Sequence, residues 1–195
     1  IATIIRTSNA LYPGSFYESR NRVVQTKTFT DTEASDAVSS QYSFDGKSLQ
    51  TVDYHQKNGA NAQNHTVVTK MTFDAGGRLL TVKKNIDSAP SDQLLATNRY
   101  NELGQFMSKH LGNDLDSLVY DYNIRGWMKS INRNYLAGSV NNYFGMELGY
   151  DKPASAAPGA SYAAQQYNGN IAGTVWKTAG AGIGRKYDFT YDSVN

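Results

Sequence analysis

The sequence predicts an all-β protein made of tandem β-hairpins, and three observations carry the fold class. A seven-position phrase recurs along the 195 residues: an aromatic, usually a small acid or amide, two free positions, Gly or Asn, a long polar residue, then an apolar one. Aromatic residues make up 12% of the chain, which suits strands better than helices. Few stretches carry an apolar stripe of helical period. A periodic phrase of this kind marks a repeat architecture, in which one unit is too small to bury a core and needs neighbours stacked on it.

The first copy is YESRNRV, with Tyr17, Asn21 and Arg22 at its first, fifth and sixth positions. YSFDGKS follows with Tyr42, Gly46 and Lys47, then FDAGGRL with Phe73, Asp74, Gly77 and Arg78. YNELGQF supplies Tyr100, Asn101, Gly104 and Gln105, and YNIRGWM supplies Tyr122, Asn123, Gly126 and Trp127. A damaged copy, YNGNIAG, begins at Tyr167 and Asn168, and a last one begins at Tyr191 and Asp192 and reaches Asn195 in the Gly position. The wide interval between Tyr122 and Tyr167 holds an eighth, degenerate copy at Tyr150 and Asp151, whose turn is Lys152-Pro153 and a small-residue loop to about Tyr162. Elsewhere the interval is roughly 20 to 30 residues, the length of two short strands with their connections.

Each phrase reads as a hairpin. An Asp or Asn side chain can bond the backbone two residues on. The Gly then falls where a type I turn closed by a G1 bulge puts one residue in the left-handed region, and Asn21 and Asn195 are the next most tolerant choice. After the turn, runs such as Arg78-Leu-Leu-Thr-Val resume as a strand. Thr30 to Ser40 and Ala154 to Ala164 read as long inter-hairpin loops, and Ser88 to Thr97 suits either a short helix or a strand. No composition shift divides the chain, so one segment of about eight hairpins over 1–195 is expected, without a second domain.

Composition narrows the function. Nineteen basic and 17 acidic residues give a net charge of +2, with the basic ones scattered, which argues against nucleic acid as a ligand. No apolar run approaches the length of a membrane span. The absence of Cys excludes a thiol nucleophile, and no Gly-x-Ser-x-Gly elbow occurs. His55, His65 and His110 lie far apart in sequence and in no metal-ligand spacing, so no metal, cofactor or catalytic residue is expected. Gly180-Ala-Gly182-Ile-Gly184-Arg185 lacks the strand and helix of a phosphate loop and reads as a hairpin connection.

Asp74, Asp121, Asp151 and Asp192 each sit beside an aromatic in or next to the phrase, as turn or strand-end residues rather than a catalytic carboxylate pair. Tyr135, Tyr143, Trp127 and Trp176 are the aromatics suited to a sugar platform, against the alternative that rings pack hairpin on hairpin under Arg or Lys heads. Trp127 stands where other copies have Arg, Lys or Gln, and is expected to cap a ring in their place. Asn64-His65-Thr66 fits a glycosylation sequon.

The phrase Tyr-Asp-x-x-Gly-Arg-Leu resembles the YD repeats of RHS proteins, most closely at FDAGGRL. YDYNIRGWMKSIN, FGMELGYD and YNGNIAGTVW are similar to strings in the RHS proteins of Bacteroidota. Tyr150 departs by losing the Gly-Arg half, and Tyr42 by having Ser43 in second position. The resemblance implies that the hairpins form part of a spiralling sheet or hollow shell, secreted or at the cell surface and not itself catalytic, that encloses a C-terminal toxin-like cargo. It implies as partners the neighbouring repeats of a longer parent chain, that cargo, and a secretion translocon of type 9. An adhesion module that binds surface carbohydrate is the alternative. The phrase broken at Asn195 leads us to expect further repeats beyond it.

Overall fold

The computed structural model describes residues 2–3, 14–29, 34–59 and 61–192. Its contacts divide the chain into two compact units, Ile1–Thr97 and Asn98–Asn195. In the first unit lie β1 (Ala2–Thr3), β2 (Gly14–Tyr17), β3 (Val23–Phe29), β4 (Ala34–Tyr42), β5 (Ser48–Lys57), β6 (Gln63–Phe73), β7 (Leu79–Ile86) and most of β8 (Gln93–Tyr100). Each strand there pairs antiparallel with the next in sequence. The second unit takes the end of β8, then β9 (Phe106–Leu111), β10 (Asp116–Tyr122), β11 (Met128–Ile131), the short helix α1 (Arg133–Leu136), β12 (Phe144–Gly149), β13 (Gly173–Thr178) and β14 (Arg185–Asp188). Its ladders are antiparallel too. The described chain is all-β apart from α1.

One turn is made five times. At Asn21, Gly46, Gly77, Gly104 and Gly126 φ is 64°, 92°, 81°, 80° and 80°. In every case the second-position N–H donates to the sixth-position carbonyl at 2.8–3.0 Å, and the fifth-position N–H donates back to the second-position carbonyl at 2.9–3.1 Å. The second-position side chain reaches further along the turn than the sequence expectation. Ser43, Asp74, Asn101 and Asn123 accept the N–H of Lys47, Arg78, Gln105 and Trp127 at 2.8–3.0 Å, four residues on. Asn123 also takes the N–H two residues on, from Arg125 at 3.0 Å, and Asp74 that of Gly76. Glu18 is too long for this bond and pairs instead with the Arg22 guanidinium.

A bulge follows each turn whose register is resolved. Tyr17 faces Val23 while Phe16 faces Gln25, which leaves Val24 unpaired. The same slip leaves out Leu49, Leu80 and Lys129. An extra residue at the same place in successive hairpins adds twist at the same place, so the local curl of the strands is itself repeated.

Three expectations are corrected, and one left open between helix and strand is resolved. Residues 34–40, read as loop for their polarity, belong to β4, because a strand with a ladder on both sides needs no apolar side chains of its own; residues 30–33 lie outside the described residues. Gln93–Tyr100 is strand, in keeping with the alternating burial of Leu94, Ala96 and Asn98. The phrases at Tyr150 and Tyr167 form no hairpins of their own. Both lie in one excursion, 150–172, between β12 and β13, which pair from Phe144↔Thr178 to Gly149↔Gly173. Neither copy has Gly or Asn in fifth position, where Ala154 and Ile171 stand, so neither can take the turn. The strand expected around Tyr187 to Tyr191 is Arg185–Asp188. Asn195 and the turn expected there lie outside the described residues.

The excursion supplies the core of the second unit. Tyr162, Ala172 and Val175 are buried together, with Ala157 and Ala160 against them. The Tyr162 ring lies on the paired glycines 149 and 173, where a methyl group on Gly173 would meet Tyr162 Cδ1 at 2.8 Å. α1 uses the same device, its Tyr135 ring 2.9 Å from where a Cβ on Gly145 would stand. Asn132, buried with φ 50°, ties the region together. Its amide accepts from Val119 N–H and donates to the Phe144 carbonyl, both at 2.8 Å.

Candidate functional site

The sixth-position side chains of the Tyr17, Tyr42 and Tyr100 hairpins reach the next one. In the first unit Arg22 donates to the Ser43 carbonyl at 2.9 Å and lies 5.0 Å from the Tyr42 ring centroid. Its Nη1 is 3.7 Å from where a Cβ on Gly46 would stand. Lys47 runs across Gly77, with Nζ 2.8 Å from the corresponding point. In the second unit Gln105 Nε2 is 3.2 Å from that point on Gly126 and donates to the Gly126 carbonyl at 3.1 Å. The glycine therefore has two reasons to be there. It takes the left-handed turn, and its bare Cα receives the arm of the hairpin before it.

The first-position tyrosine completes the contact. Tyr42 donates to the Val23 carbonyl at 3.0 Å, and Tyr150 donates to the Met128 carbonyl at 3.0 Å. Val23 and Met128 are both seventh-position residues, so Tyr150 does to the Tyr122 hairpin what Tyr42 does to the Tyr17 hairpin. Burial holds the Tyr150 phenol above its ordinary pKa. Trp127 stands in for the arm: its ring packs on Tyr150 at 5.4 Å, as expected, and its Cη2 comes within 2.9 Å of the Cβ direction of Gly169. Gly169 has φ 104°, so the damaged phrase keeps a receiving glycine although it has lost the hairpin. Tyr167 and Asn168 lie in bends, and Asn168 accepts the Asn170 N–H at 3.1 Å. Tyr191 donates to the Ile171 carbonyl at 2.9 Å.

A pocket of about 390 Å³ opens beside this join. Trp127 and Tyr150 form part of its wall, Glu147 and Tyr162 lie at buried positions, and Arg125, Lys129, Arg133 and Lys152 bring positive charge. Arg125 stacks 5.1 Å from the Trp127 centroid and donates to the Tyr167 carbonyl at 3.2 Å. Glu147 accepts the Ala156 N–H at 2.7 Å. Burial, with the Glu147 carboxylate adding to it, pushes the Tyr162 phenol up to about 12. Ser155 and Glu147 face its hydroxyl without reaching hydrogen-bond geometry. No residue of this pocket except those in the repeated phrase was marked by the sequence. Its makers meet only because 150–172 folds back.

The remaining candidates have structural partners. Asp74 takes the Arg78 N–H at 2.8 Å and its Nε at 2.6 Å, and these bonds hold its carboxyl below the usual range. Asp121 accepts from buried Ser130 at 2.8 Å, and Asp151 lines the pocket. Tyr135 is buried under Lys177, and Trp176 packs on Tyr187 at 5.0 Å, whereas Tyr143 is exposed. The glycine-rich 180–184 is the connection from β13 to β14, closed by the Gly182 N–H on the Thr178 carbonyl. Among the described residues no three His, Asp or Glu side chains converge as metal ligands, and no helix is long and apolar enough to cross a membrane. No family model matches the sequence, and no curated protein matches it.

Proposed function

We propose that this chain is a wall segment of an RHS-like β-shell, a secreted or cell-surface structure that encloses a C-terminal cargo and does no chemistry of its own. The observation that supports this reading is the arm-over-glycine contact. The Tyr42, Phe73 and Tyr122 hairpins each receive the arm of the hairpin before, a join that lets a structure grow by adding copies. The bulge repeated beside four of the turns adds curl of the kind a closing sheet requires. Further repeats of the parent chain, the cargo and a type 9 translocon are the partners of this reading. The test uses the whole parent polypeptide under limited proteolysis. A C-terminal segment protected in the intact parent, and cut when Gly77→Val and Gly126→Val disrupt the wall, is the expected result. A C-terminal segment cut at the same rate in both, or a parent with no segment beyond its repeats, overturns the reading.

A second reading, a carbohydrate-binding adhesion module, is favoured by the pocket, which joins aromatic walls to charged and hydroxyl groups at a volume suited to one or two sugar rings. Glycan-array binding that Lys129→Ala and Arg133→Ala abolish is its signature.

A further inference from the structure

β5 and β6 bring two histidines together that are ten positions apart in sequence. His55 is the direct cross-strand partner of His65, and Asp36 on β4 is the direct partner of His55. Residues facing each other across an antiparallel pair project to the same side, with Cβ atoms about 4.5–5.5 Å apart. Each ring is held at Nδ1 by a carboxylate. His65 Nδ1 meets Asp87 Oδ2 at 2.8 Å, and His55 Nδ1 meets Asp36. Asp87 is itself fixed by the Thr66 N–H at 2.7 Å. The result is a row, Asp36, His55, His65, Asp87, across the first unit, with the histidine side chains 49% and 55% exposed.

The tautomer follows from the partners. A neutral imidazole that donates its Nδ1–H to a carboxylate keeps its lone pair on Nε2. Both histidines are therefore poised with the ligating nitrogen free, on neighbouring strands, with the carboxylate behind each ring that metal-binding histidines generally have. We propose that His55 and His65 chelate one divalent transition-metal ion through their Nε2 atoms, with Asp36 and Asp87 as positioning residues. Asp36 and Asp87 are taken up by the Nδ1 atoms, and among the described residues no group of three His, Asp or Glu side chains could hold a metal ion, so water fills the remaining positions. Imidazole ligands suit Cu²⁺, Ni²⁺ and Zn²⁺, and Cu²⁺ binds tightest. The ion would tie β5 to β6 across their hairpin.

The test is calorimetric titration of untagged protein with CuCl₂, NiCl₂ and ZnCl₂, together with thermal midpoints at each metal concentration. One saturable site, a midpoint that rises with metal, and at least a tenfold loss of affinity in both His55→Ala and His65→Ala are expected. Asp36→Asn and Asp87→Asn should each weaken binding about 10- to 100-fold while leaving one site, the effect of losing a group that orients a ligand. His110→Ala should change nothing. Absence of saturable binding up to millimolar metal overturns the proposal, as does affinity unchanged in either histidine variant. Circular dichroism of the metal-free variants separates lost ligation from lost folding. His55→Gln and His65→Gln provide replacements of closer size at these exposed positions.

Discussion

Gly77→Ala tests both reasons for the glycine at once. At φ +81° an L-residue is disfavoured by about 1–2 kcal/mol relative to glycine. Alanine recovers part of this, about 0.4–1 kcal/mol, by restricting the unfolded chain. The added methyl group must also displace Lys47, whose Nζ would lie 2.8 Å away, but a flexible lysine moves at the expense of its own packing rather than the backbone's. A net loss of about 1–2 kcal/mol follows, reaching about 3 for Gly77→Val, where a branched side chain enters the same region. Gly77→Asn should cost about half as much as alanine, because Asn tolerates this conformation, as Asn21 does at the equivalent position with φ 64°. The arm is then isolated by repeating Gly77→Ala in a Lys47→Ala background and measuring urea unfolding of all four proteins. The coupling should be about 0.5–1 kcal/mol, the variant costing less once the arm is gone. Equal losses in the two backgrounds would refute the contact, and a neutral Gly77→Ala would refute the turn.

Four further outcomes are expected. Trp127→Arg should be better tolerated than Trp127→Ala in urea unfolding, since Arg22 occupies the same place over Tyr42, whereas alanine forfeits a half-buried ring worth about 2–3 kcal/mol. Tyr162→Phe should be neutral or stabilising, because it removes a buried hydroxyl without a hydrogen bond; a loss above about 1 kcal/mol would mean the hydroxyl is satisfied. The raised Tyr162 pKa means the unfolded chain releases its proton first, so stability present below pH 10 should fall by on the order of 2–3 kcal/mol between about pH 10 and 12, and Tyr162→Phe should remove that slope. Asp74, Asp87, Asp92, Asp188 and Glu18 all have lowered pKa values, so the stability they give above their unfolded values is lost as pH falls through their folded ones. Asp74→Asn keeps the acceptor for the Arg78 N–H and should flatten part of that acid limb in a pH series of urea midpoints.

What the sequence made legible was what one residue type at one place determines. Gly or Asn after a turn former fixes a left-handed position, so the five turns could be placed from the chain alone. The bulges at Val24, Leu49, Leu80 and Lys129 could not, because a slip of register leaves no mark on residues that are apolar or polar on both sides of it. Tyr150 and Tyr167 misled for the opposite reason: they carry the beginning of the phrase, but the hairpin depends on its end. The small residues of 154–164 were legible as loop, yet nothing local says that Tyr162 will return to lie on Gly149 and Gly173. The histidine pair left a fainter signal. His55 and His65 are symmetric about the turn that follows Asn58-Gly59, and reading the chain outward from that turn pairs them, whereas reading spacings along the chain does not.

The arms explain why the sixth position varies more freely than the fifth. Arg22, Lys47, Gln105 and Trp127 share little chemistry beyond length, and a receiving glycine demands little more than that. Where the next element is another hairpin turn, the arm ends in a polar group, and Arg22 and Gln105 find carbonyls there, at Ser43 and Gly126. After the Tyr122 hairpin the next element is the excursion 150–172, which presents a tyrosine ring and Gly169. A hydrogen-bonding head would find no repeated carbonyl in a connection of this kind, but a flat apolar plate can cover both features without a fixed register. Trp127 is that plate, and Arg125 over its ring and onto the Tyr167 carbonyl restores the polar contact from a neighbouring position. The departure from the phrase at Trp127 thus belongs with the departure at Tyr150: where the hairpin is replaced by a loop, burial takes over from hydrogen bonding as the means of joining one repeat to the next.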